Sequence, residues 1–157
     1  MKRIGSLSAL SLGLLLFAGP ADVQAQVKKS DAVVKIKATA DKPGPDGKQP
    51  VTITLDVEAP WHLYANPVGN PDQVASQTTV AITAKVKPKE VKIDYPPGKL
   101  VKDKVVGDYK VWEGKVTIKA QVTRAKDDTS PLEITLKFQS CNDKSCLLPA
   151  TVKVTVP

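Results

Sequence analysis

Apolar and polar residues alternate with period two along much of this chain, and that alternation limits its folds more than any other feature. Val51, Ile53, Leu55 and Val57 interleave with Thr52, Thr54, Asp56 and Glu58. The pattern returns in Val116-Ile118-Ala120-Val122, Leu132-Ile134-Leu136-Phe138 and Val152-Val154-Val156. Successive side chains of a strand point to opposite faces, so each run offers one face to a core and the other to water. Such runs are half-buried strands of antiparallel sheets. Weaker candidates at residues 32–40, 61–64, 78–86 and 91–95 bring the expected total to about eight strands, which suits a β-sandwich. No amphipathic helical pattern competes. Proline and glycine punctuate the strands at residues 41–50, 66–72 and 95–99, where turns are expected. Residues 99–107, KLVKDKVVG, read as a long, polar surface loop.

The first 25 residues read as an export signal, with Lys2 and Arg3 ahead of a mostly apolar stretch and Val23-Gln24-Ala25 before the expected cut. Residues 26–157 then form the expected single domain. The apolar stretch is too short for a stable membrane span, and no later segment approaches the ~20 apolar residues that spanning requires. No membrane span is expected in the mature chain. The formal net charge is +7, but Lys115, Lys119, Lys137 and Lys153 are scattered singly on polar strand faces. Without a basic run interleaved with aromatics, nucleic acid is not an expected partner.

Export makes the two cysteines the centre of the chemistry. Cys141 and Cys146 are separated by Asn142, Asp143, Lys144 and Ser145, a length that suits the tip of a β-hairpin. In an oxidising compartment such a pair is either a permanent staple or a reagent. A domain of this length buries roughly two thirds of its unfolded surface without help, and closing so short a loop contributes about 2 kcal/mol at most. Exchange needs a thiolate, an accessible sulfur and a second cysteine that resolves a mixed disulfide. The spacing meets the last need only. Lys144 would favour a thiolate and Asp143 would oppose it, so the pair alone leaves both readings open.

The other chemistry-bearing residues say less. His62 is the only histidine; with Cys141 and Cys146 it would make three zinc ligands, but nothing else has ligand spacing and oxidation would remove the thiolates. A partly exposed strand histidine is the simpler expectation. No nucleophile-elbow or phosphate-cradling motif is present. The aromatics are expected to fill the core and its ends, with Tyr64 and Trp112 as candidates for a docking surface.

Taken in order, WHLYANPVG, DYPPGK, GDYKVWEGKVTIKAQV and FQSCNDKSCLLPATVKV resemble the N-terminal periplasmic domain of the thiol:disulfide interchange protein DsbD. The likeness runs from about Val33 to Val156 and is strongest at the cysteine hairpin and the Leu147-Leu148-Pro149 that follows it. It implies an all-β, immunoglobulin-like antiparallel β-sandwich in the periplasm. It also implies a redox-active pair that takes electrons from a membrane-linked donor and passes them to thioredoxin-like periplasmic oxidoreductases. Cys146 would form the mixed disulfides and Cys141 would resolve them. In the family a loop caps the pair; Asp103, Val105 and Val106 look like part of that cap, and Tyr64 looks like one of the tyrosines near the pair.

The chain departs from the family pattern in three ways. Val105 and Val106 stand where the best-known member has aromatics, its cysteines are one residue further apart, and Lys104 replaces an expected acidic residue. Because the chain ends at Pro157, the resemblance implies a donor acting in trans on a monomer. No cofactor is expected, since thiol exchange is carried by the cysteines themselves. The rival expectation is a non-enzymatic periplasmic binding or structural module whose disulfide is permanent.

Overall fold

The computed structural model describes residues 28–157, so the expected export signal lies outside the described residues. Nine strands are described: β1 (Val34–Ala40), β2 (Lys48–Tyr64), β3 (Thr79–Ala84), β4 (Glu90–Asp94), β5 (Lys99–Val101), β6 (Tyr109–Thr123), β7 (Leu132–Phe138), β8 (Ser140–Cys141) and β9 (Ala150–Val156). One antiparallel sheet runs β1-β2-β6-β4, with β5 added to β6 and β8 added to β2; the other runs β3-β7-β9. The fold is an all-β, immunoglobulin-like antiparallel β-sandwich.

The alternating runs supply its core. Ile53, Leu55, Ile118, Val122, Leu132, Ile134 and Leu136 are fully buried between the sheets, while Thr52, Asp56, Thr117 and Lys119 on the opposite faces meet water or its margin. In β9, Val152 and Val154 are only half-buried, as befits a strand with a neighbour on one side. At the end of the sandwich where β2 begins, buried Gln49 joins the sheets. Its Nε2 donates to the carbonyls of Asp41 (2.8 Å) and Pro157 (3.1 Å), and its Oε1 accepts from Arg124 Nε at 2.8 Å. Arg124 also pairs with Asp128 at 3.1 Å. The hydrogen bonds from Ser130, aided by Arg124, hold the Asp128 carboxyl below the usual carboxylate range.

Two expectations change at the opposite end. Residues 51–57 and 61–64 belong to one strand, β2, whose register against β6 jumps between Val57 and His62: Val57 faces Gly114, yet His62 faces the adjacent Glu113. The intervening Glu58-Ala59-Pro60-Trp61 is extruded. Pro60 has no N–H to give a ladder and is tolerated at such a bulge, while Gly114 turns the facing strand at φ +61°. The expected loop at residues 99–107 is the second change, because its first three residues are strand β5, paired with Tyr109, Lys110 and Val111 of β6.

Past the bulge, β2 and β6 change outer neighbours. Before it β1 and β4 flank them; beyond it β8 and β5 do. This distal four-strand patch, in the order β5-β6-β2-β8, carries the cysteines.

Ile134, fully buried at the centre of the smaller sheet, tests how far the core relies on tight packing. Ile134→Ala is expected to cost about 2–5 kcal/mol in urea unfolding, with little effect on the reactivity of the distal cysteines.

Candidate functional site

Cys141 and Cys146 are bonded to each other and face one another as an antiparallel bridge at the neck of a hairpin, as the spacing predicts. Asn142 shapes the tip: its N–H donates to the Ser145 carbonyl at 2.9 Å, and its Oδ1 accepts from the N–H groups of Lys144 and Ser145, each at 2.9 Å. Asparagine side chains commonly stabilise turns by such local bonds.

The hairpin is held from below by a residue far away in sequence. Ser30, in a short 3₁₀ turn at Ser30–Val33, accepts from the Ser140 N–H through Oγ at 2.8 Å and donates from the same oxygen to the Leu148 carbonyl at 2.8 Å. The Ser30 N–H donates to that carbonyl as well, at 2.9 Å. Ser30 and Ser140 are both buried. Leu147 N–H closes the hairpin on the Ser140 carbonyl at 2.9 Å. Nothing in the sequence marks Ser30 as part of the site.

The clamp leaves the two sulfur-bearing residues in different environments. Cys141 is only 2% exposed, whereas Cys146 lies on the surface. Cys141 in β8 stands opposite His62 in β2, which on its other side stands opposite Glu113 in β6. In the next row Leu63, Trp112 and Ser140 face the core and are buried. Cys141, His62 and Glu113 therefore form one cross-strand row on the outer face. Burial holds the His62 imidazole below its ordinary pKa, against the opposing pull of the Glu113 and Asp143 charges.

Aromatics adjoin this row. Tyr64 meets the edge of His62 with ring centroids 6.1 Å apart and lies 5.6 Å from the Tyr109 ring. Burial raises the Tyr109 phenol, reinforced by the charges of Asp103 and Asp143. Tyr64, Tyr109 and His62 thus form one aromatic group. Trp112 is not part of it: it is 4% exposed, stacks on Tyr95 and donates from Nε1 to the Pro96 carbonyl at 3.2 Å. It is a core residue and offers no docking surface.

The loop after β5 is ordered by its own backbone. Asp103 Oδ1 accepts from the Val105 and Val106 N–H groups at 2.7 and 3.1 Å, which lowers the Asp103 pKa. Buried Asn70 donates from Nδ2 to the Val106 carbonyl at 2.8 Å. The valines themselves remain out in solvent, Val105 at 92% exposure and Val106 at 45%. Cys146 is exposed as well.

The family model described as "Thiol:disulfide interchange protein DsbD, N-terminal" matches residues 20–157. The chain belongs to the DsbD N-terminal family. Among solved structures, the N-terminal periplasmic domain of ScsB from Proteus mirabilis aligns with a TM-score of 0.56 at 14% identity, over 78% of this chain and 44% of that one. This chain thus spans less than half of the ScsB domain. The reduced DsbD N-terminal domain of Neisseria meningitidis aligns with a TM-score of 0.50 at 13% identity, over 86% of this chain and 92% of that one. At such identities the structures establish the shared fold, and the family match carries the link to thiol:disulfide interchange. No curated protein matches the chain significantly. Among the described residues no helix is long and apolar enough to cross a membrane.

Two measurements follow from the clamp and the burial contrast. Ser30→Ala strips the Ser140 N–H of its acceptor and is expected to destabilise the protein by about 1–3 kcal/mol, read from chemical unfolding. In the reduced protein, brief alkylation followed by peptide mass spectrometry is expected to label Cys146 about tenfold or more faster than Cys141, because thiol reactivity follows access and ionisation.

Proposed function

We propose that this DsbD N-terminal family member is a periplasmic thiol:disulfide interchange domain in which Cys146 exchanges with partners and Cys141 resolves the mixed disulfide. The observation that carries the assignment is the difference in exposure within one bonded pair: Cys141 is buried and Cys146 is on the surface. A partner thiolate has a path only to Cys146 Sγ. Its attack forms a partner–Cys146 bond, breaks the Cys141–Cys146 bond and sends the electron pair to Cys141 Sγ. A second partner thiol then displaces Cys146, leaving the pair reduced by two electrons and the partner oxidised. In the opposite half-cycle the Cys146 thiolate attacks a client disulfide, and Cys141 closes the ring again while the client leaves reduced.

The family resemblance supports the partner classes: a membrane-linked electron donor acting in trans, and thioredoxin-like periplasmic oxidoreductases as clients. Residues 1–25 serve as the export signal in this reading, and residues 26–157 act as one monomeric domain. Asp103, Val105, Val106 and Tyr64 form the surroundings of the reactive sulfur. The Asp103 turn sets the loop, and the two exposed valines provide an apolar rim where the resemblance places a cap. Such a rim suits contact with a partner surface, since exposed apolar side chains gain most from being covered.

A permanent bridge is the competing reading, and the reduction potential separates the two. Equilibration of the purified protein against glutathione and dithiothreitol buffers, with thiol trapping, is expected to give a value between roughly −270 and −120 mV, the range of exchange proteins. A value below about −300 mV marks a structural disulfide. Reduced Cys141→Ala is then expected to accumulate a stable mixed disulfide at Cys146 with a thioredoxin-like partner supplied as its disulfide, and Cys146→Ala to accumulate none.

A further inference from the structure

His62, the chain's only histidine, has no part in the exchange described so far. It stands directly opposite Cys141 across the β2–β8 pair. Side chains directly opposite in an antiparallel pair share a face, with Cβ atoms about 4.5–5.5 Å apart, a separation at which an imidazole nitrogen can meet a sulfur. Cys141 faces a difficulty that Cys146 does not. Buried at 2% exposure, it is shielded from the water that would otherwise take the proton it must lose before it attacks. A resolving cysteine so placed needs a base at hand.

We propose that His62 is a catalytic base that removes the Cys141 proton as this cysteine resolves the mixed disulfide. The inference rests on the exchange reading above. With a partner sulfur joined to Cys146, the Cys141 Sγ–H proton passes to the neutral imidazole and Cys141 Sγ attacks Cys146 Sγ. The Cys141–Cys146 bond forms, the Cys146–partner bond breaks, and the partner departs as a thiolate with the electron pair. The imidazolium, partly exposed, returns its proton to water. In the reverse direction the same imidazolium protonates Cys141 as it leaves.

The surroundings fit a base. Burial favours the neutral imidazole, while Glu113 from β6 and Asp143 from the hairpin stabilise the imidazolium once it forms; Lys99 of β5 opposes them, tempered by its 3.0 Å ion pair with Glu113. Tyr64 stands edge-on to the ring, with centroids 6.1 Å apart. General-base assistance of this kind typically contributes 10²–10⁴-fold.

The test follows the reduced full-length protein as it reacts with dithiobis-nitrobenzoate in stopped flow, where attack by Cys146 releases one coloured thiolate and resolution by Cys141 releases a second. His62→Gln is expected to leave the first phase unchanged and to slow the second about tenfold or more near neutral pH. The wild-type second phase is expected to fall on acidification with an inflection below about pH 6.5, the ordinary histidine value, and the variant is expected to lack it. An unchanged second phase overturns the role of His62 while leaving exchange intact. A slowed second phase with the wild-type pH profile also overturns it, since that marks a residue that only positions the sulfur. Absence of any second release from wild type defeats the exchange reading itself. Should the variant fail to fold by circular dichroism, the wild-type profile decides: an inflection in the histidine range supports the base, and a single rise in the thiol range overturns it.

Discussion

The reactive end of this protein depends on β2 and β6 remaining paired on both sides of an interruption. Extrusion of Glu58-Ala59-Pro60-Trp61 lets the two strands resume their ladder with different outer neighbours. β1 begins at Val34 opposite Val57, so beyond the jump the edge of β2 is open for Ser140 and Cys141. The bulge thus converts a plain sandwich into one with a second, smaller sheet region where β8 finds a partner. Bulges recur near functional sites because they redirect side chains and end pairings, and here one does both.

The alternating runs made most of the sandwich legible. All four strong runs appear as strands, three with their apolar faces in the core and the fourth, β9, burying only Val156 of its run, and the cysteine spacing gave the hairpin. Local patterning could do this because strand periodicity and turn chemistry are encoded within a few residues. What stayed hidden depends on register between distant segments. β5 is three residues long and mostly exposed, so it has no alternation to detect. The merging of residues 51–57 with 61–64 was obscured by Pro60, which reads as a break. Ser30 looks like any polar residue until the fold brings it under the hairpin. The sequence left Trp112 open between core and docking surface for a related reason: alternation places it beside exposed Glu113, and only the stacking on Tyr95 shows which face it takes.

His62 illustrates the same limit within the site. As a sequence feature it suggested a metal ligand or an idle strand residue, because neither its opposite neighbour nor its face could be known. Once β8 is placed, the residue lies between a buried sulfur and a carboxylate, and its chemistry changes with its company. Its neutral form is favoured by partial desolvation, whereas the charges around it favour the protonated form. Those opposing influences suit a group that must gain and lose a proton repeatedly.

The clamp on Ser30 has a consequence for the order in which this site comes into being. Ser30 and Leu148 are 118 residues apart, so the contact forms only after nearly the whole described chain has been made and its ends have met. Such closures are delayed by the entropy of the intervening chain. Synthesis proceeds from the N-terminus, so the cysteines appear after Ser30 and β2, and for a time they lie in an undocked segment where neither is sheltered. Their different characters are therefore conferred late, by topology, on two chemically identical thiols.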